Sequence, residues 1–193
     1  MKVAILILAA GQSSRMGRPK QLLTVDGKTL IERSIDTALA SDSKAVYCVL
    51  GAHATTIRPL LTSFPVRIIE NPNYKDGLST SIVAGIEELE KDQMKAALVL
   101  LADQPKITVN HLNNLISLFM ENPGQIAATA YQNTLGVPAL FPNQYFAELK
   151  ALTGDKGARV LLNEQADCIK AVPFADLTDI DTPEDYQQLL KNK

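Results

Sequence analysis

Val3-Ala4-Ile5-Leu6-Ile7-Leu8, running straight into Ala9-Ala10-Gly11-Gln12-Ser13-Ser14-Arg15-Met16-Gly17-Arg18-Pro19-Lys20, is an apolar run that empties into a small-residue loop ending in cations. A run without polar alternation suits a central parallel strand covered on both faces. The eight residues from Val3 to Ala10 are too few to span a bilayer, and charges follow at once. Small side chains at 9–11 let a ligand come close to the backbone. Gly11 to Ser14 can offer consecutive N–H groups as an anion nest. Arg15, Arg18 and Lys20 add three positive charges within six positions of a chain whose formal net charge is −2. Two familiar phosphate loops fail on spacing. Five residues separate Gly11 from Gly17 where a Walker A loop needs four, and Arg18-Pro19 follows instead of Lys and Ser or Thr. Gly11-Gln12-Ser13 lacks the second glycine of a dinucleotide fingerprint.

Downstream, short aliphatic runs alternate with stretches of helical period. Strands are expected at Ala45–Leu50, Val66–Ile69, Ala96–Leu101, Ile126–Tyr131, Val137–Phe141 and Cys168–Val172, with a turn over Gln132–Gly136. Helices are expected at Thr29–Leu39, Thr55–Thr62, Ser79–Lys91, after a cap at Thr108, at Gln144–Leu152, at Gly157–Asn163 and at Pro183–Leu190. Such alternation builds a mainly parallel sheet with helices on both faces, a Rossmann-like α/β fold. No linker or internal repeat divides the 193 residues, so a single domain is expected. In such sheets ligands bind beyond the carboxyl ends of the strands. That rule selects the loops after Leu8, Ile69 and Leu101.

Composition narrows the partners. With 46% apolar residues the chain can bury a sizeable core, and with 5% aromatics and no Trp that core is aliphatic. The small negative net charge argues against a nucleic-acid surface. Cys48 and Cys168 sit in apolar runs without a CxxC partner and read as buried, reduced thiols, which places the protein in the cytoplasm. His53 and His111 have no triad partner in view and read as non-catalytic.

The loop after Leu101, Ala102-Asp103-Gln104-Pro105, sets a carboxylate behind a buried strand, where a hard oxygen suits Mg²⁺ beside substrate phosphates. The loop after Ile69 runs Asn71-Pro72-Asn73 through Gly77-Leu78-Ser79-Thr80-Ser81, its serines standing at a helix start where capping is the plain alternative. In Asp179-Ile180-Asp181-Thr182-Pro183-Glu184-Asp185, Thr182 reads as N-cap and Pro183 as the first helical residue, leaving Asp181 free. Gly154-Asp155-Lys156-Gly157-Ala158-Arg159 reads as a helix stop and a new N-cap at Asp155.

The first loop resembles the L-A-A/G-G-x-S-x-R-M-G-x-x-K segment of the nucleotidyltransferases of molybdenum cofactor synthesis, a fold of the nucleotide-diphospho-sugar transferase type. It is also similar to the start of the methylerythritol phosphate pathway cytidylyltransferase, which shares Pro19-Lys20-Gln21. Leu101-Ala102-Asp103-Gln104-Pro105 resembles the L-A-D-Q-P segment of the molybdenum cofactor cytidylyltransferase group, and Gly154 to Arg159 with Gly136-x-Pro138 matches that group too. The likeness extends from Ile5 to about Leu190.

The resemblance implies that Leu8, Ala9, Ala10, Gly11, Ser13 and Ser14 bind the nucleotide, joined by Asn71, Gly77 and Ser81 near its base and ribose. It sets Arg15 and Lys20 on the phosphates, and Asp103 with Asp181 on Mg²⁺. It turns Gln104, Pro105, Gly136, Pro138, Asp155 and Arg159 toward the acceptor. The implied reaction moves CMP from CTP to molybdenum-bound molybdopterin, and a molybdenum hydroxylase would receive the product. Ala10-Gly11, where related guanylyltransferases carry two glycines, favours CTP over GTP. Val137 stands where the group has a histidine, which opens the identity of the acceptor. Three other readings remain: transfer to another phosphorylated acceptor, a non-catalytic chaperone for molybdenum cofactor, and a nicotinamide-dependent redox protein on the same fold.

Overall fold

The computed structural model describes residues 2–131, 134–165, 169–175 and 178–191. Strand β1 (Val3–Ala9) is buried along its whole length, as its unbroken apolar run requires. Its side chains alternate between two cores. Val3, Ile5, Ile7 and Ala9 enter one, while Ala4, Leu6 and Leu8 enter the other. After the first loop comes a hairpin, β2 (Thr24–Val25) and β3 (Lys28–Thr29), then helix α1 (Leu30–Leu39). There follow β4 (Ala45–Leu50), α2 (Ala54–Ile57), β5 (Arg67–Glu70), α3 (Leu78–Lys91), β6 (Ala96–Leu101) and α4 (Val109–Glu121). The remainder is β7 (Ile126–Tyr131), β8 (Thr134–Pro142), α5 (Phe146–Lys150), α6 (Arg159–Glu164), β9 (Ile169–Pro173) and α7 (Pro183–Lys191).

The main sheet has the order β5-β4-β1-β6-β8-β7-β9. It is parallel from β5 to β6 and again between β7 and β9, while β8 runs antiparallel to both its neighbours. The reversal follows from chain length, since only residues 132–133 lie between β7 and β8, too few for a crossover. The expected turn over 132–136 is shorter than anticipated, because β8 already begins at Thr134. One face is covered by Ile31 and Ile35 of α1, Ile57 of α2, and Leu112 and Leu115 of α4. The other is covered by Ile82 and Ile86 of α3, Phe146 of α5 and Leu161 of α6. Burying each such side chain contributes about 1.5–3 kcal/mol, which holds the helices against the sheet.

Caps set several boundaries. Thr29 and Glu32 form a capping box on α1, Thr108 Oγ1 accepts from the His111 N–H, and Thr182 and Asp185 do the same for α7. Other boundaries differ from expectation. The helix expected over 55–62 is α2 followed by a 3₁₀ turn at Arg58–Leu61, because Pro59 cannot continue an α-helix. The helix expected over 144–152 starts with a 3₁₀ turn and becomes α5 only at Phe146. Asp155 is not an N-cap, since α6 begins at Arg159 behind Ala158. Ser79 and Ser81 do not cap α3 either; Gly77 holds that position. Cys48 is fully buried, and burial pushes its thiol up to about 12, so it is an inert core residue. Cys168 lies outside the described residues.

Candidate active site

The first loop leaves β1 beside β4 and β6, where successive strands depart to opposite sides of β1. Ser13 adopts a left-handed conformation with φ 55° and ψ 37°, which turns the chain into a 3₁₀ turn at Ser14–Met16. Its hydroxyl accepts from the Lys20 N–H at 3.0 Å, closing the loop on itself. Gln21, only 2% exposed, donates its amide to the carbonyls of Ala9 and Gly11 at 3.1 and 3.2 Å. His53 Nε2 lies 3.1 Å from the Gln12 carbonyl. With the carbonyls tied back, the N–H groups of Gly11 to Ser14 take no backbone acceptor among the described residues. Such a loop is shaped to receive an anion.

Lys20 is the hub. Its ammonium is hydrogen-bonded to Asp103 Oδ2 and, at 2.8 Å, to Asp181 Oδ1. Arg15 Nη1 lies 3.4 Å from the other oxygen of Asp181. Three segments distant in sequence thus meet at one ammonium. The Ile180 N–H donates to the Asp103 carbonyl at 3.0 Å and docks the third segment. Burial works against a charged Lys20, but Asp103 and Asp181 outweigh it and hold the ammonium above its ordinary pKa. Burial pushes the Asp103 carboxyl up against the pull of Lys20, and Asp179 and Asp181 add to the push. Removing one partner of such a buried pair typically costs about 3–5 kcal/mol, because the other charge is left uncompensated.

A cleft of about 500 Å³ opens over this hub, lined by the first loop, by Lys20 and Asp103, and by the 3₁₀ turn at Tyr74–Asp76 with Gly77 and Ser81. Leu8, Ala9, Ala10, Gly11, Ser14, Lys20, Gly77, Ser81 and Asp103 are therefore brought together as expected residues of one surface. Ser13, Arg15 and Asp181 lie beside it, shaping the loop and flanking Lys20. Asn71 does not face the cleft. It is 3% exposed and spends its amide on Thr80 and Ser81 hydroxyls at 2.8 and 3.0 Å, so it positions Ser81 from behind.

A second pocket of about 250 Å³ adjoins the first and shares Leu8, Leu78 and Leu101 with it. It holds Gln104, Gly136 and Arg159 of the expected acceptor residues, together with Tyr131 and Asp179. Gln104 donates to Asp179 Oδ1 at 2.9 Å and to the Val137 carbonyl at 3.3 Å. Three expected acceptor residues lie elsewhere. Asp155 lines the larger cleft, and Pro105 faces a small pocket with Arg33 and Ser34 behind β6. Pro138 is buried in β8, its carbonyl accepting from Thr129 Oγ1 at 2.6 Å.

Sequence reasoning missed Gln21, Asp179, Tyr74 and Tyr131. The first two had a signal, a polar residue beside the cations of the first loop and a second carboxylate two positions before Asp181. The tyrosines had none: Tyr131 ends an apolar strand and reads as core, and Tyr74 is one residue of a polar loop with nothing to single it out. Among the described residues no three His, Cys, Asp or Glu side chains cluster to hold a metal unaided. Two carboxylates do converge at Lys20, and Asp103 Oδ1 is buried without a hydrogen-bond partner among the described residues. That donor set fits an ion such as Mg²⁺, which takes one or two carboxylates and completes its shell with phosphates and water.

Fold and site define an α/β protein with a glycine- and serine-rich loop after the first strand, a lysine between carboxylates and an adjoining smaller pocket, the build of a nucleotidyltransferase. Residues 5–169 match the MobA-like NTP transferase domain, and the chain belongs to that family. It is 30% identical to the purine catabolism protein PucB of Bacillus subtilis (strain 168), over 95% of this chain and 94% of the relative. It is 31% identical to nicotine blue oxidoreductase of Paenarthrobacter nicotinovorans, over 96% and 95%. Among solved structures, Rv0371c of Mycobacterium tuberculosis H37Rv superposes with a TM-score of 0.87 at 24% identity over 98% of both chains. A structure of Rv0371C described as a complex with manganese superposes with a TM-score of 0.83 at 23% identity over 100% of both chains. No helix among the described residues is long and apolar enough to cross a membrane.

Proposed function

We propose that the protein transfers CMP from CTP to the phosphate of a molybdopterin-type acceptor and releases pyrophosphate. The observation that carries this reading is Lys20 bonded to both Asp103 and Asp181 in the cleft, beside a loop in which the N–H groups of Gly11 to Ser14 take no backbone acceptor among the described residues. The triphosphate lies along Gly11 to Ser14, with Arg15 and Lys20 neutralising its charge. An oxygen of the acceptor phosphate attacks the α-phosphorus as the bond to pyrophosphate breaks. That phosphate is already ionised near neutral pH, so no general base is needed. Catalysis then rests on positioning and on charge stabilisation at the α-phosphorus and the leaving group. Asp103 and Asp181 would hold Mg²⁺, which supplies Lewis-acid stabilisation of the phosphate oxygens. The manganese complex described for Rv0371C supports a divalent ion on this fold. CTP is preferred on the strength of Ala10-Gly11, with GTP the alternative. The smaller pocket, with Gln104, Arg159 and Asp179 around an apolar floor, would take the acceptor.

One observation favours a second reading, a nicotinamide-dependent redox protein: the 31% identical relative named nicotine blue oxidoreductase. The missing G-x-G-x-x-G spacing weighs against it. The test is pyrophosphate release from CTP and Mg²⁺ with molybdopterin present, run beside NADPH oxidation. Acceptor-dependent pyrophosphate supports the transferase. NADPH turnover without pyrophosphate overturns it.

A further inference from the structure

We infer that Lys20 occupies the divalent-cation position of the nucleotide-free protein, so that nucleotide must draw its ammonium off two carboxylates before a metal ion can settle there. The inference rests on the reading that Asp103 and Asp181 hold the metal. The two carboxylates have four oxygens. Lys20 takes Asp103 Oδ2 and Asp181 Oδ1, and Arg15 stands 3.4 Å from Asp181 Oδ2. Of the four, only Asp103 Oδ1 is left without a hydrogen-bond partner among the described residues, and it is buried. A metal ion approaching the free protein meets two cations already seated on the ligands it needs. An ammonium and a divalent ion cannot share one carboxylate pair at contact distance without strong repulsion.

The side chain is free to leave while its backbone stays. The Lys20 N–H is pinned to Ser13 Oγ at 3.0 Å, inside the closed first loop. The ammonium, by contrast, is a compact charge on a flexible four-carbon stem. Lys20 also lines the cleft beside Gly11, Gln12 and Ser14, so its head can reach a phosphate held by that loop. A triphosphate there offers Lys20 and Arg15 a new anionic partner and exposes Asp103 and Asp181 together. Nucleotide and metal then bind cooperatively, and by linkage each raises the affinity of the other by the same factor. If the pair is free of lysine in about a tenth of molecules, apparent metal affinity of the free protein falls about tenfold.

The experiment measures Mn²⁺ binding by electron paramagnetic resonance, without nucleotide and with a CTP analogue that cannot be cleaved between the α- and β-phosphates. It compares wild type with K20M, K20R and D103N. The inference expects nucleotide-free K20M to bind Mn²⁺ at least about tenfold more tightly than wild type. K20R, which keeps a cation, should stay close to wild type, and D103N should bind weakly throughout. K20Q, polar but uncharged, replaces K20M if the latter does not fold. Wild type binding Mn²⁺ without nucleotide as tightly as K20M, with binding lost in D103N, would overturn the lysine's role and leave the metal reading standing. Failure of every protein to hold Mn²⁺ beyond what the analogue binds in solution would overturn the metal reading, and this inference with it.

Discussion

Gly77→Ala probes how the second loop braces the site. Gly77 has φ 107° and ψ 173°, a backbone region that only glycine enters readily. A Cβ there would lie 2.2 Å from the carbonyl carbon and oxygen of Gly154 and 2.6 Å from the Asp155 nitrogen. All three are backbone atoms, so no side chain can rotate out of the way. Gly77 and Asp155 both line the larger cleft, and the Ser79 N–H donates to the Gly154 carbonyl at 3.1 Å. The conformational penalty is about 1–3 kcal/mol, and relieving the overlap adds about 1–3 kcal/mol, giving about 4 kcal/mol in all. Gly154→Ala is the control. Gly154 also has a positive φ, 62°, but its Cβ would meet nothing within 4 Å, so only the left-handed penalty of about 1–2 kcal/mol applies. In urea, with a slope of about 2 kcal/mol/M, the midpoint should fall by about 2 M for Gly77→Ala and by less than about 1 M for Gly154→Ala. Nucleotide affinity should fall further in Gly77→Ala. Equal midpoints for the two variants would show that the close approach of the loops is not part of the fold's stability, and the reasoning would fail.

Three further outcomes follow from other parts of the structure. Tyr186→Phe removes the hydroxyl that donates to the Thr24 carbonyl at 2.7 Å, at a cost of about 1 kcal/mol. It should lower the melting temperature by about 2–4 °C and weaken nucleotide binding with turnover at saturation kept, because the hydroxyl ties α7 to β2, in the hairpin that follows the first loop; unchanged melting and affinity would contradict that tie. Asp103→Asn should reduce turnover more than CTP affinity, and equal turnover in the variant would remove Asp103 from the mechanism. His111, 3% exposed, is pushed by burial from 6.5 down to about 4. The unfolded chain therefore binds the extra proton first as pH falls, so stability is retained above pH 6.5 and drains away toward pH 4. Denaturation from pH 7 to 4 should show wild type losing its advantage over His111→Gln across that window, and a constant difference would mean the ring titrates normally.

The long elements were legible because period and burial agree. Val3–Leu8 reads as a doubly covered strand and is one, and α3 and α4 show their stripes plainly. The β2–β3 hairpin was missed because each strand has two residues, too few to show alternation. Its turn did carry a signal, Asp26-Gly27, and both residues take positive φ, 53° and 78°. The approach of Lys20 and Asp103 was foreshadowed by loop position and that of Asp181 only by the family resemblance, since three-dimensional docking, not sequence separation, brings the three together. The resemblance implies a nucleotide contact for Asn71, but the residue is 3% exposed and bonded to the Thr80 and Ser81 hydroxyls. Its burial behind Ser81 depends on a three-dimensional register that no local pattern encodes.

Calorimetric titration of the purified protein with CTP, GTP, ATP and NADPH, each with and without Mg²⁺, tests the central claim most directly. The account predicts Mg²⁺-dependent binding that is tightest for CTP. Binding of NADPH alone, or of no nucleotide, would mean that the first loop is not a triphosphate cradle and would contradict the account.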